Sequence, residues 1–217
     1  MVPPIRGVIH IGAHRAEERD GYLASGLTNT IWCEANPEIA CWLTEFLSTS
    51  DERVFGYAIC DEDHGIRDFH VSSNDGSSSS LLRPKEHLKR SPAVKFDKVV
   101  QVPTITLDTL LHEQGINARD YNFITMDIEG AELLALRGAT KTLPHIDAIY
   151  IEVNFVEMYA GCGLVDVLDR FLADYCLTRR LTYDTTHGWG DALYVKAELR
   201  REAELRGGGD LYARYIY

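Results

Sequence analysis

Three apolar runs end in residues able to hold or move charge: Val8-Ile9-His10-Ile11-Gly12-Ala13-His14, Trp32-Cys33-Glu34-Ala35-Asn36-Pro37 and Phe123-Ile124-Thr125-Met126-Asp127-Ile128-Glu129-Gly130-Ala131-Glu132. Each reads as a parallel strand delivering polar groups to the carboxyl edge of an open α/β sheet, where such sheets bind ligands. Gly12 lets backbone approach a ligand. Glu34 follows at the ~20-residue spacing of a ribose-binding carboxylate, whose two oxygens can accept both ribose hydroxyls. Asp127 and Glu129, one residue apart beside Gly130, either cap a helix or act as a general base at the centre of the edge. His14 and His187 stand behind them as bases because imidazole titrates near neutrality.

The intervening sequence supplies elements to position these groups. Strands are expected at 6–11, 30–34, 54–59, 121–126 and 148–153, with helices at 17–24, 38–47, 131–137 and 164–175 between them. In the second helix Ile39, Trp42, Leu43, Phe46 and Leu47 have the spacing of a face packed on a sheet. In the third, Leu133, Leu134 and Leu136 are expected to face the core. A large insert follows the third strand: 68–71 and 99–105 alternate like strands, 72–80 is polar, and a helix covers 107–114. Strands at 177–183 and 192–196 flank a turn-rich segment and predict a closing antiparallel hairpin. No whole-domain repeat is apparent. The expected organisation is one domain over 1–197, then a charged, Gly-interrupted tail over 198–217.

With 217 residues, 45% of them hydrophobic, the chain suits one α/β core. Thirty-three Asp and Glu against 22 Lys and Arg give a net charge of −11, which argues against nucleic-acid or anionic-membrane partners. The basic stretch Arg83 to Lys98 reads first as a solvated loop and second as an anion clamp. Five cysteines, an odd number without a C-x-x-C pair, are expected to be reduced. Neither a secretion signal nor a ~20-residue apolar span is seen, so a cytoplasmic protein is expected.

A mostly parallel sheet closed by an antiparallel hairpin is the arrangement of class I S-adenosylmethionine-dependent methyltransferases. The series His10-Ile11-Gly12-Ala13-His14, Glu34-Ala35-Asn36-Pro37, Ser77 to Leu82, Asp127 to Glu132, Glu152-Val153-Asn154 and Gly188-Trp189-Gly190-Asp191-Ala192 resembles the FkbM family of these enzymes over about Val8 to Val195. The most specific element is D-x-E-G-A-E with the following Leu133 to Gly138. In the first motif His10, His14 and Ala16 replace the Asp, Asn and final Gly of the pattern D-x-G-A-N-x-G. The resemblance implies a single Rossmann-like domain with a seven-stranded sheet, S-adenosylmethionine as cofactor, and O-methylation of a sugar, glycoside or polyketide-type natural product.

On that reading His10, Gly12, Ala13, His14, Glu17, Glu34, Ala35, Ala58, Ile59, Asp61 and Asp127 hold the cofactor. For Glu17 helix capping is an equal reading, and for Asp61 a plain turn is. Methyl transfer to oxygen is an in-line displacement, and an alcohol needs a base; Asp127 and Glu129 lead, with His14 and His187 next. Ser79, Ser80, Asn154, Glu157, Tyr159 and Trp189 are candidate acceptor contacts, with simple turns competing for Asn154, Glu157 and Tyr159. A corner-packing role is the commoner one for Trp189. Composition makes Ser77 to Ser80 a flexible loop, whereas the resemblance makes it a lid over cofactor and acceptor. No metal is expected, although Asp127, Glu129 and Asn154 offer hard ligands for a Mg²⁺-assisted rival. An NAD-dependent oxidoreductase shares the sheet, but no tyrosine has a lysine four residues on. An inactive nucleotide-binding domain is the third alternative.

Overall fold

The computed structural model describes residues 4–183 and 186–199. The chain runs β1 (Val8–Ile11), α1 (Arg19–Ala24), β2 (Thr30–Cys33), α2 (Pro37–Phe46), β3 (Arg53–Phe55), β4 (Ala58–Ile59), β5 (Ile66–Val71), α3 (His87–Arg90), β6 (Lys98–Ile105), α4 (Leu107–Glu113), β7 (Phe123–Met126), α5 (Glu132–Arg137), β8 (Ala148–Asn154), α6 (Val165–Ala173), β9 (Leu177–Tyr183) and β10 (Trp189–Lys196). Seven strands form one sheet in the order β3-β2-β1-β7-β8-β10-β9. It is parallel from β3 to β8, and β10 runs antiparallel to both β8 and β9. Every residue of β1, β2 and β7 is buried, as expected of central parallel strands covered on both faces. Strand order reverses between β1 and β7, the switch point at which open sheets bind ligands.

The helices follow the apolar pattern with one change. In α2, Asn36 Oδ1 accepts from the Glu38 N–H and Pro37 fills the first turn. Ile39, Leu43 and Leu47 pack inward, but Trp42 and Phe46 are 38% and 52% exposed. The i, i+4, i+8 stripe takes the sheet, leaving the other two to stack on each other under the Arg15 and Arg19 guanidinium groups. In α5, Leu136 and Ala135 are fully buried, while Leu133 and Leu134 are half-buried.

The expected third strand over 54–59 is two strands. β3 ends at Phe55, a tight turn through Gly56 and Tyr57 follows, and β4 enters a second sheet of order β4-β6-β5. The expected strand at 99–105 is the centre of that small sheet. All five cysteines are unpaired. Among the described residues no helix is long and apolar enough to cross a membrane. Most of the expected tail, residues 200–217, lies outside the described residues.

Candidate active site

A cavity of about 620 Å³ opens at the carboxyl ends of β1, β2, β4 and β7, within the usual range for small-molecule sites. His10, Gly12, Ala13, His14, Glu17, Glu34, Ala35, Ala58, Ile59 and Asp127 all line it, so ten of the eleven residues expected at a cofactor come together. Asp61 does not line it; its carboxylate pairs with Arg67 at 3.3 Å on the surface. Phe69 of the second sheet, with Tyr57 and Leu81 from adjoining loops, adds an apolar wall that the strand pattern alone did not single out.

Glu34 is set by local backbone. It is 6% exposed, and its two oxygens accept main-chain N–H bonds from His14 (2.8 Å) and Asn36 (2.7 Å). Burial pushes its carboxyl up, against those bonds and the charge of His14. Each oxygen retains acceptor capacity, so the group is oriented and still able to receive hydroxyls. Gly12, at φ +87°, passes so close to β7 that a Cβ would lie 1.9 Å from the Asp127 carbonyl oxygen.

His10 is buried and hydrogen-bonded through Nδ1 with Tyr22 Oη at 3.0 Å, and that hydroxyl bonds Thr125. Burial lowers the pKa of His10, favouring the neutral ring. The ring of His14 is already engaged, with Nδ1 2.7 Å from Glu17 and Nε2 3.0 Å from the Asp75 carbonyl. Both nitrogens are engaged there, so His14 could accept a proton from an alcohol only by giving up one of these contacts.

Asp127 reaches solvent within the cavity but is densely surrounded by protein. Burial, then the nearby charges of Asp191 and Glu18, raise its pKa to about 7. Glu129, at φ +55°, is not among the residues lining the cavity and meets Tyr159 Oη at 2.8 Å. That hydroxyl also lies 2.9 Å from the Ser78 carbonyl, which can only accept. One hydrogen cannot serve both. Burial, then the charge of Asp127, raises the Glu129 carboxyl well above its ordinary range, which favours its protonated form beside Tyr159. Glu132 fixes this turn: its Oε1 accepts the Ile128 and Gly130 N–H groups. Glu152, buried on β8 and quoted in the resemblance without a role of its own, places its carboxylate with those of Asp127 and Glu129 in a cluster within 4.8 Å. Asn154 Nδ2 donates to Glu152 at 3.1 Å, while its Oδ1 is buried without a partner.

The other expected acceptor contacts divide. Ser79 lines the cavity. Ser80 is buried and donates to the Glu129 carbonyl at 2.8 Å, and the Ser72 and Ser79 side chains cross-link the segment. These bonds make 72–80 an ordered wall, against the flexible loop that its composition suggests. Glu157 is exposed, paired with Lys85, and accepts the Gly161 N–H at 2.7 Å. Trp189 packs beside Met158, Tyr159 and Cys162, the corner role, and His187 is exposed, its carbonyl receiving Arg90. Neither lines the cavity. Lys85, Lys89 and Lys98 of the basic stretch pair with Glu157, Glu86 and Glu38, as a solvated surface does.

Residues 10–184 match the model of the methyltransferase FkbM domain. The chain belongs to the FkbM methyltransferase family. A curated relative, the 2-O-methyltransferase NoeI of Sinorhizobium fredii, is 32% identical over 176 residues, covering 76% of this chain and 71% of its own. Among solved structures, a Streptococcus agalactiae protein of the NADB-Rossmann superfamily aligns with TM-score 0.50 at 14% identity, over 91% of this chain and 68% of its own. The magnesium protoporphyrin IX methyltransferase of Synechocystis, solved with S-adenosylmethionine, aligns at 0.47 with 8% identity, over 90% and 72%. This FkbM protein is an S-adenosylmethionine-dependent methyltransferase. The site fits the cofactor: the Glu34 carboxylate offers free acceptor capacity beside the Gly12 turn, with an apolar wall at Ala58, Ile59 and Phe69.

Proposed function

We propose that this chain is an O-methyltransferase acting on a hydroxyl of a sugar, glycoside or related natural product, in the cytoplasm. The observation that carries the reading is Asp127, which lines the same cavity as Glu34 at the β1/β7 switch point and is held near neutrality. The likeness to NoeI, a 2-O-methyltransferase, supports oxygen as the atom methylated. The unpaired cysteines suit a reducing compartment.

Bound S-adenosylmethionine supplies an electrophilic methyl on a positively charged sulfur. Glu34 would hold the ribose hydroxyls, and Gly12 and Ala13 would let backbone lie against the cofactor. His10, its neutral form favoured by burial and its ring anchored by Tyr22, would offer a hydrogen-bonding edge to the amino-acid end. Asp127 would take the acceptor's proton as its oxygen bonds the methyl carbon and the carbon–sulfur bond breaks, the electron pair staying on the departing neutral thioether, and would release that proton to solvent through the cavity. Ser79 and Leu81 form the acceptor side of the wall. The altered first motif is compatible with this arrangement, because Gly12 and the His14 N–H keep the backbone functions of the pattern.

The carboxylate cluster with the unpartnered Asn154 Oδ1 favours one second reading, a divalent cation held by Asp127, Glu129 and Glu152 that activates the hydroxyl. The deciding experiment is transfer of labelled methyl to free sugars, nucleotide sugars and glycosylated natural products, with and without EDTA, followed by mass spectrometric location of the label. Oxygen-linked methyl is expected, at full rate in EDTA. Loss of transfer in EDTA restored by Mg²⁺ would replace the protein base with the metal. Methyl found on nitrogen or carbon would sink the reading.

A further inference from the structure

His14 joins two parts of the molecule that are 61 residues apart. Its main-chain N–H donates to Glu34, its Nδ1 to Glu17 and its Nε2 to the carbonyl of Asp75. Asp75 and Gly76 form a left-handed turn, φ +56° and +91°, and Gly76, Ser77 and Ser79 line the same cavity as Glu34. A carbonyl oxygen can only accept, so Nε2 must carry a hydrogen. Nδ1 must carry one too, because Glu17 is ionised: partial burial pushes its carboxyl up, but the bond from His14 and main-chain N–H groups outweigh this and lower its pKa. Both bonds exist together only in the imidazolium. We infer that His14 is a positioning residue whose imidazolium straps the turn at 75–79 across the cofactor cavity, so that cofactor exchange requires the strap to open. This rests on the reading that the cavity holds the cofactor.

The groups facing the ring are Glu17 before α1, Glu34 at the end of β2 and the Asp75 carbonyl from the serine segment. Partial burial works against the charge, yet the bonds to Asp75 and Glu17 and the charges of Glu17 and Glu34 outweigh it, and the pKa of His14 is raised. The strap is therefore complete below the ordinary histidine value of about 6.5 and is lost as pH rises through the raised value. Neutral imidazole keeps one ring hydrogen and so one of the two bonds.

Asparagine tests this cleanly, since it tolerates a left-handed backbone such as the φ +42° of His14 and has no charge at any pH. Hydrogen exchange of the amides of 76–81 in ligand-free protein, expressed as protection factors, is measured from about pH 5.5 to 9, a window bracketing the histidine range. Wild-type protection should fall roughly 10- to 100-fold as His14 deprotonates, the scale of a charge-assisted hydrogen bond. His14→Asn should be low and flat throughout. Stopped-flow dissociation of S-adenosylhomocysteine should accelerate over the same pH window in wild type and be fast and pH-independent in the variant. Flat wild-type protection, or a variant that keeps the wild-type profile, overturns the strap. If S-adenosylhomocysteine fails to bind wild type, the functional reading falls, while the exchange measurement still judges the strap.

Discussion

Asp127 and Glu129 differ by one residue in sequence and by their surroundings in chemistry. Asp127 lines the cavity, whereas Glu129 is turned into a hydrogen-bonded triplet with Tyr159 and the Ser78 carbonyl. Asp127→Asn keeps the shape and loses the acceptor, so turnover should drop on the order of 10²–10⁴-fold with cofactor affinity little changed. Initial rates alongside calorimetry separate these quantities, and near-wild-type turnover would end the case for Asp127. Glu129→Gln preserves a donor toward Tyr159 and should lower turnover far less. Glu34 makes the opposite prediction. Removing it by Glu34→Ala strips charge-assisted bonds from the cofactor and should weaken S-adenosylmethionine binding by about 1.5–3 kcal/mol. An unchanged affinity in a folded variant would leave Glu34 as a support for the His14 and Asn36 amides alone.

At the scale of elements, the site depends on two turns pressed together. The Gly12 turn after β1 and the Asp127–Glu132 turn after β7 meet so closely that a Cβ at Gly12 has no room, and φ there is left-handed. Gly12→Ala should therefore destabilise the fold by more than about 1 kcal/mol and abolish cofactor binding, which chemical denaturation and calorimetry check. Central strands and the strand-end acids were legible because double-sided burial writes long apolar runs that polar residues then interrupt. The break at Gly56 and Tyr57 was not, since a two-residue turn leaves the apolar pattern of 54–59 intact while sending its halves to different sheets. The serine segment misled for another reason. Four serines read as solvated, but Ser78, Ser79 and Ser80 are buried because their polar groups are satisfied locally and by the distant Glu129 and Tyr159. Glu152 stood in the resemblance series but drew no role from the residue pattern, because one carboxylate inside the apolar run of β8 has no periodic signature.

For the whole molecule, the cavity wall comes from both sheets: His10, Gly12, Glu34 and Asp127 from the main one, Ala58, Ile59 and Phe69 from the smaller, and Ser77 and Ser79 from the segment between β5 and α3. A ligand there contacts parts of the chain that are far apart in sequence, so binding stabilises their common folded state. At a hundred times its dissociation constant, S-adenosylhomocysteine should add about 2.7 kcal/mol by mass action. For a chain of this size that corresponds to a rise in Tm of roughly 5–10 °C. The same ligand should suppress proteolytic cleavage between Asn74 and Lys95, because the segment forming one wall is then held on both sides. NAD shares the ribose and adenine but lacks the amino-acid end, and should give a much smaller shift at equal concentration. Scanning calorimetry with each ligand decides between them: a larger rise with NAD would return the chain to the oxidoreductase alternative, and no rise with S-adenosylhomocysteine would mean that the two sheets do not close on a common cofactor.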